Sequence, residues 1–105
     1  MLIDDLSTVD EQLRIARLLD LASTYETITE LDLASSILRK AKLLIQELKS
    51  SSTAEIALID LRIGINEAPN AFGELSKIVK QMEQAIIILR ESGDDFHAAW
   101  GLRQL

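Results

Sequence analysis

The sequence predicts an all-α fold of five helices arranged as antiparallel hairpins. Three observations carry this. Apolar residues recur at helical spacing along most of the 105 residues. Breakers are scarce, with one proline and four glycines, so few points can interrupt a helix. Where breaks do occur, they coincide with residues that start helices, namely Thr8, Ser52 and the pair Asp94-Asp95.

Helix 1 is expected from about residue 9, opened by a capping box of Thr8 with Glu11, to about Ile28. Leu13, Ile15, Ala16, Leu18, Leu19, Leu21 and Ala22 spread over a broad arc, as in a helix flanked on two sides. Helix 2 is expected over Leu31 to Leu48, after a short break at Thr27, Thr29 and Glu30 that makes a hairpin. Residues 49–53 read as loop, and Ser52 with Glu55 opens helix 3, from about 53 to 66. Pro69 ends it, because its ring clashes with the preceding turn and it has no N–H to donate. Helix 4 is expected from about Asn70 to Glu91, closed by Gly93 in a left-handed conformation. Asp94 or Asp95 caps helix 5, which starts near Phe96.

Leu, Ile and Ala dominate a hydrophobic fraction of 48%, while aromatics make only 4%. That is enough apolar matter for a core, so an ordered chain is expected. The length is that of one domain. Net charge is −6, and the halves are alike: 6 basic and 9 acidic residues in 1–53, then 5 and 8 in 54–105. No basic patch exists to hold phosphates, so no nucleic-acid partner is expected. Arg39, Lys40 and Lys42 read as a solvated helix face. The longest apolar run, Ala85 to Leu89, is far too short to span a bilayer, and the acidic N-terminus is not a signal peptide. A cytoplasmic protein without a membrane partner is expected, and the end at Leu105 suggests a fragment of a longer chain.

The chain also repeats internally. Displaced by 44 residues, Ala41 to Glu47 falls on Ala85 to Glu91, and Ala54, Leu58 and Leu61 fall on Ala98, Leu102 and Leu105. Such a period marks a stack of helix pairs. Within the first pair stand Leu18-x2-Leu21-Ala22-x2-Tyr25 and then Ala34-x3-Leu38-x2-Ala41. This resembles the tetratricopeptide pattern, Trp-x2-Leu-Gly-x2-Tyr followed by Ala-x3-Phe. The second pair carries Leu58-x2-Leu61-Arg62-x2-Ile65 and Ile78-x3-Met82-x2-Ala85, with Arg62 where the pattern has a small residue. The resemblance implies one domain over 1–105 with about two and a half repeats (9–48, 53–92 and a partial 95–105), wound as a right-handed superhelical solenoid. The units exceed the family's ~34 residues, and the closing proline is missing.

The same resemblance implies a function. First helices of tetratricopeptide pairs line a groove that holds a peptide or helix. Here that groove would draw on Leu19, Ser23 and Glu26, then on Ile56, Ile59, Ile63 and Asn66, and on Trp100 and Arg103. Its lining is mostly apolar, which suits an apolar peptide or helix rather than a carboxylate. Trp100 reads first as a core residue between helices 3 and 5 and, as the alternative, as a groove anchor. The expected function is a protein-interaction module or scaffold. The alternatives are a homodimerisation element and a helical regulatory domain of a larger signalling or transcription-regulator protein.

No catalytic or cofactor constellation is expected. Cysteine is absent and His97 is the single histidine, so no metal set is legible. His97 reads as a first-turn surface residue of helix 5. Ser50, Ser51 and Ser52 have no base nearby in sequence. The acidic pairs Asp4-Asp5, Asp10-Glu11 and Asp94-Asp95 sit at expected helix starts, where the helix dipole favours them. Gly64 and Gly73 stand alone rather than in a phosphate loop, and Gly64 marks close helix packing.

Overall fold

The structure is a computed structural model that describes the backbone of residues 2–48 and 52–105 and the side chains from residue 9 onward within them. Among these residues it is all-helical, with no strand. Five α-helices follow in order: α1 (Leu2–Thr27), α2 (Leu31–Glu47), α3 (Thr53–Glu67), α4 (Leu75–Glu91) and α5 (Asp95–Gln104), with a 3₁₀ turn at Ala68–Asn70. The loop assigned to Ser50 and Ser51, and the side chains of Asp4, Asp5 and Thr8, lie outside the described residues.

The contacts divide the chain into two compact units, Met1–Ser51 and Ser52–Leu105. In the first, α1 and α2 pack together as a hairpin. α1 begins seven residues earlier than the capping-box reading set it, and Thr8 lies in its interior. Residues 2–7 contain no Pro or Gly, so nothing in them stops helix propagation. The hairpin turns through a Schellman motif. Thr29 takes φ 61; its N–H donates to the Glu26 carbonyl at 3.2 Å, and that of Glu30 to Tyr25 at 2.9 Å. The buried set of α2, namely Ala34, Ser35, Leu38, Ala41 and Ile45, follows the 3–4 spacing of one helical face.

In the second unit, α3, α4 and α5 close around Ala57, Leu61, Ile78, Met82, Ala85, Ile86, Leu89 and Ala98. Two glycines let the helices approach. A Cβ on Gly64 would lie 2.5 Å from Met82 Cγ, and one on Gly101 would lie 2.8 Å from Leu61 Cδ2 and 2.9 Å from Ile86 Cγ1. The close-packing reading of Gly64 therefore holds.

Ser52 caps α3 as expected, accepting from the Ala54 N–H at 3.2 Å. Helix 4 starts later than expected. Pro69 sits in the 3₁₀ turn, Gly73 takes φ +79, and α4 opens only at Leu75. A left-handed residue interrupts the helical ladder, which the Asn70 boundary overlooked. The α4–α5 junction repeats the first hairpin's turn bond for bond. Gly93 N–H donates to Arg90 O at 3.1 Å and Asp94 N–H to Leu89 O at 2.9 Å.

The 44-residue displacement recurs in the elements for α2 and α4 but not for α3 and α5, where buried Leu61 falls on exposed Leu105. It carries α2 from Leu31–Glu47 onto α4 at Leu75–Glu91, and buried Ala34, Leu38, Ala41 and Ile45 onto buried Ile78, Met82, Ala85 and Leu89. The first helices instead match at 42: buried Ile15 and Ala22 fall on buried Ala57 and Gly64. The small residue of the second pair is thus Gly64, and Arg62 is only half-buried beside it. The two-residue difference is taken up within the longer α3–α4 connection.

Candidate functional site

The expected groove residues fall on single arcs of their own helices. On α1, Leu19 and Glu26 are half-buried and Ser23 is exposed. Their spacing of four and three keeps them on one side of the helix. On α3, Ile59, Ile63 and Asn66 are 3%, 8% and 4% exposed, so of that arc only half-buried Ile56 offers surface. α3 is buried on two arcs, since Ala57, Leu61 and Gly64 occupy the other. On α5, Arg103 is exposed, while Trp100 is half-buried and packs on the core of the second unit. That packing matches the core reading of Trp100.

The most exposed large apolar side chains lie elsewhere. Phe72 is 92% exposed in the turn before α4, and Phe96 is 73% exposed at the start of α5. Leu75, three residues after Phe72, and Leu102 and Leu105, at the other end of α5 from Phe96, are about half exposed. Sequence reasoning placed Phe72 inside helix 4, where it could have reached the core. Gly73 was the signal that the helix starts later, since glycine readily takes the positive φ that interrupts a helix.

The α5 start also holds a polar feature that sequence reasoning divided between two separate residues. Asp94 Oδ1 accepts from the His97 N–H at 3.1 Å, and Oδ2 lies 2.7 Å from His97 Nδ1. One carboxylate thus caps the helix and holds the imidazole. The side-chain hydrogen bond from His97, then its backbone N–H, keep the Asp94 carboxyl below its ordinary range. The imidazole stands edge-on to Phe96 at 5.1 Å and to Trp100 at 6.5 Å between centroids. Ser92, two residues upstream, gives its hydroxyl proton to the Leu89 carbonyl at 2.8 Å. The pair is therefore a helix cap, with the adjacent hydroxyl engaged elsewhere.

Searches of family models, curated proteins and solved structures found no match to the chain. The local chemistry is then what bears on function. Among the described residues no grouping of three or more His, Cys, Asp or Glu could hold a metal ion. No helix among them is long and apolar enough to cross a membrane. What stands out is exposed aromatic surface beside well-filled cores.

Proposed function

We propose that the chain is a cytoplasmic protein-interaction module, a tetratricopeptide-like solenoid of helix hairpins that binds an apolar or amphipathic helix and catalyses no reaction. One observation carries this reading: both phenylalanines of the chain are outside, at 92% and 73% exposure, while Leu, Ile, Ala and Met fill the cores. Leaving such a side chain in water forgoes about 1.5–3 kcal/mol of burial, and aromatic residues are enriched where proteins meet partners. The repeated register of α2 and α4 supports the repeated-hairpin part of this reading. The acidic balance, net −6, favours a partner helix with a basic flank and makes association salt-sensitive.

The test is a panel of synthetic amphipathic helices with basic or acidic flanks, titrated by fluorescence anisotropy. The basic-flanked helix binds, and Phe72→Ser weakens it at least tenfold without loss of helicity. Absence of binding at millimolar peptide, or binding indifferent to Phe72→Ser, overturns the reading.

A further inference from the structure

The exposed residues of α5 are ordered in a way that neither core packing nor helix capping requires. Asp95, Phe96, Ala99, Leu102 and Arg103 are all exposed. At about 100° per residue they fall within an arc of about 120°, centred on Ala99. The residues flanking Ala99 are complementary in kind. Four positions before it stands an acid and four after it a base; three before and three after stand large apolar side chains.

We propose that α5 pairs with α5 of a second copy of the chain, antiparallel, about a two-fold axis through Ala99. This rests on the reading that exposed apolar surface here serves association, and it names the partner of the Phe96 surface. A two-fold contact must be self-complementary, so that where one residue meets a second in the other copy the second meets the first; in an antiparallel pair crossing at Ala99, residues equally far before and after it stand at the same level. Around Ala99 that rule sets Asp95 against Arg103 of the other copy and Phe96 against its Leu102. Both pairs form twice. A helix register centred one residue away sets Phe96 against Gln104 and loses the ion pairs.

Ala99 at the crossing point lets the backbones approach. Helices pack with axes about 8–10 Å apart. With Cα atoms on a radius of about 2.3 Å, the two Ala99 Cα atoms then stand about 3.4–5.4 Å apart at the crossing. α5 spans ten residues, about 15 Å, so the contact is smaller than the roughly 800 Å² per partner of a standard interface. The pairing is correspondingly weak and concentration-dependent.

The chain contains no cysteine, so a single introduced thiol reports the geometry. A disulfide needs Cα atoms about 4.4–6.8 Å apart, which a crossing with the axes about 9–10 Å apart supplies at position 99. Under air oxidation of the full chain, Ala99→Cys forms a covalent dimer at least tenfold faster than Gln84→Cys on the exposed face of α4. Adding Asp95→Arg or Arg103→Asp to Ala99→Cys slows the reaction at least fivefold. An equimolar mixture of those two doubly substituted chains restores it, because each then meets opposite charges. Asp95→Asn, a milder change at a helix start, gives an intermediate rate, and circular dichroism confirms that every variant retains its helices.

An Ala99→Cys rate equal to that of Gln84→Cys overturns the pairing, as does a rate that ignores both charge changes in chains of unchanged helicity. If peptide binding that depends on Phe72 persists in that case, only the α5 assignment fails. If peptide binding is absent while position 99 cross-links, the pairing stands and the heterotypic reading fails.

Discussion

Gly64→Ala should destabilise the chain, although alanine is the better helix former. In an exposed helix interior the exchange gains about 1 kcal/mol from propensity. At position 64 the new methyl would lie 2.5 Å from Met82 Cγ, 3.0 Å from its sulfur and 3.6 Å from Ile78 Cγ2. Met82 is 2% exposed, so its side chain cannot swing into solvent. Overpacking of a filled core costs about 1–3 kcal/mol. Set against the propensity gain, a net loss of up to about 2 kcal/mol follows. Urea unfolding followed by circular dichroism measures it. Met82→Ala alone should cost about 2–5 kcal/mol. Combined with Gly64→Ala it should cost less than the sum by about 1 kcal/mol or more, since the added methyl then fills part of the cavity. If Gly64→Ala stabilises by its full propensity and the two changes are additive, the close α3–α4 approach is wrong.

Three further outcomes follow from single residues. Thr29→Gly should stabilise by about 1 kcal/mol in thermal or urea unfolding, because a β-branched residue at φ 61 is replaced by one that adopts it freely. Ser35→Ala should stabilise by about 1 kcal/mol or more in the same assay, since the buried Ser35 hydroxyl has no hydrogen-bond partner. Asp94 sets an acid dependence. Its carboxyl is lowered from 3.8 in the folded chain, so its stabilisation is complete above that unfolded value and is lost as pH falls through the lower folded one. Thermal unfolding between pH 6 and pH 2 should show a steeper acid loss for the parent than for Asp94→Asn, which keeps a capping acceptor but does not titrate there.

The helices were legible because the signals are local. Ser52 and Asp94 cap as their side chains dictate, and the apolar spacing of α2 and α4 reads directly as buried face. Misjudged features depended on conditions a linear pattern does not carry. Thr8 looks like a cap but can sit within a helix when nothing upstream stops it. The leucine pattern sets Arg62 at the small position of the second repeat because leucines match cheaply, whereas close approach to Met82 identifies Gly64 as the small residue. Likewise, the expected groove relied on an arc of α3 whose Ile59, Ile63 and Asn66 are buried. Apolar periodicity alone does not distinguish a ligand-facing arc from a packed one. Phe72 is the opposite case, since it falls within the expected bounds of helix 4 but lies before Gly73, whose positive φ delays the helix to Leu75.

Backbone amide shifts, recorded while a basic-flanked amphipathic helix is titrated into isotopically labelled chain, test most directly the claim that this surface binds a partner. Saturable shifts should centre on Phe72, Gly73 and Leu75, leave the amides of buried Leu38 and Leu89 nearly unmoved, and weaken with added salt. A spectrum unchanged at millimolar peptide, or saturable shifts confined to residues away from Phe72, would contradict it.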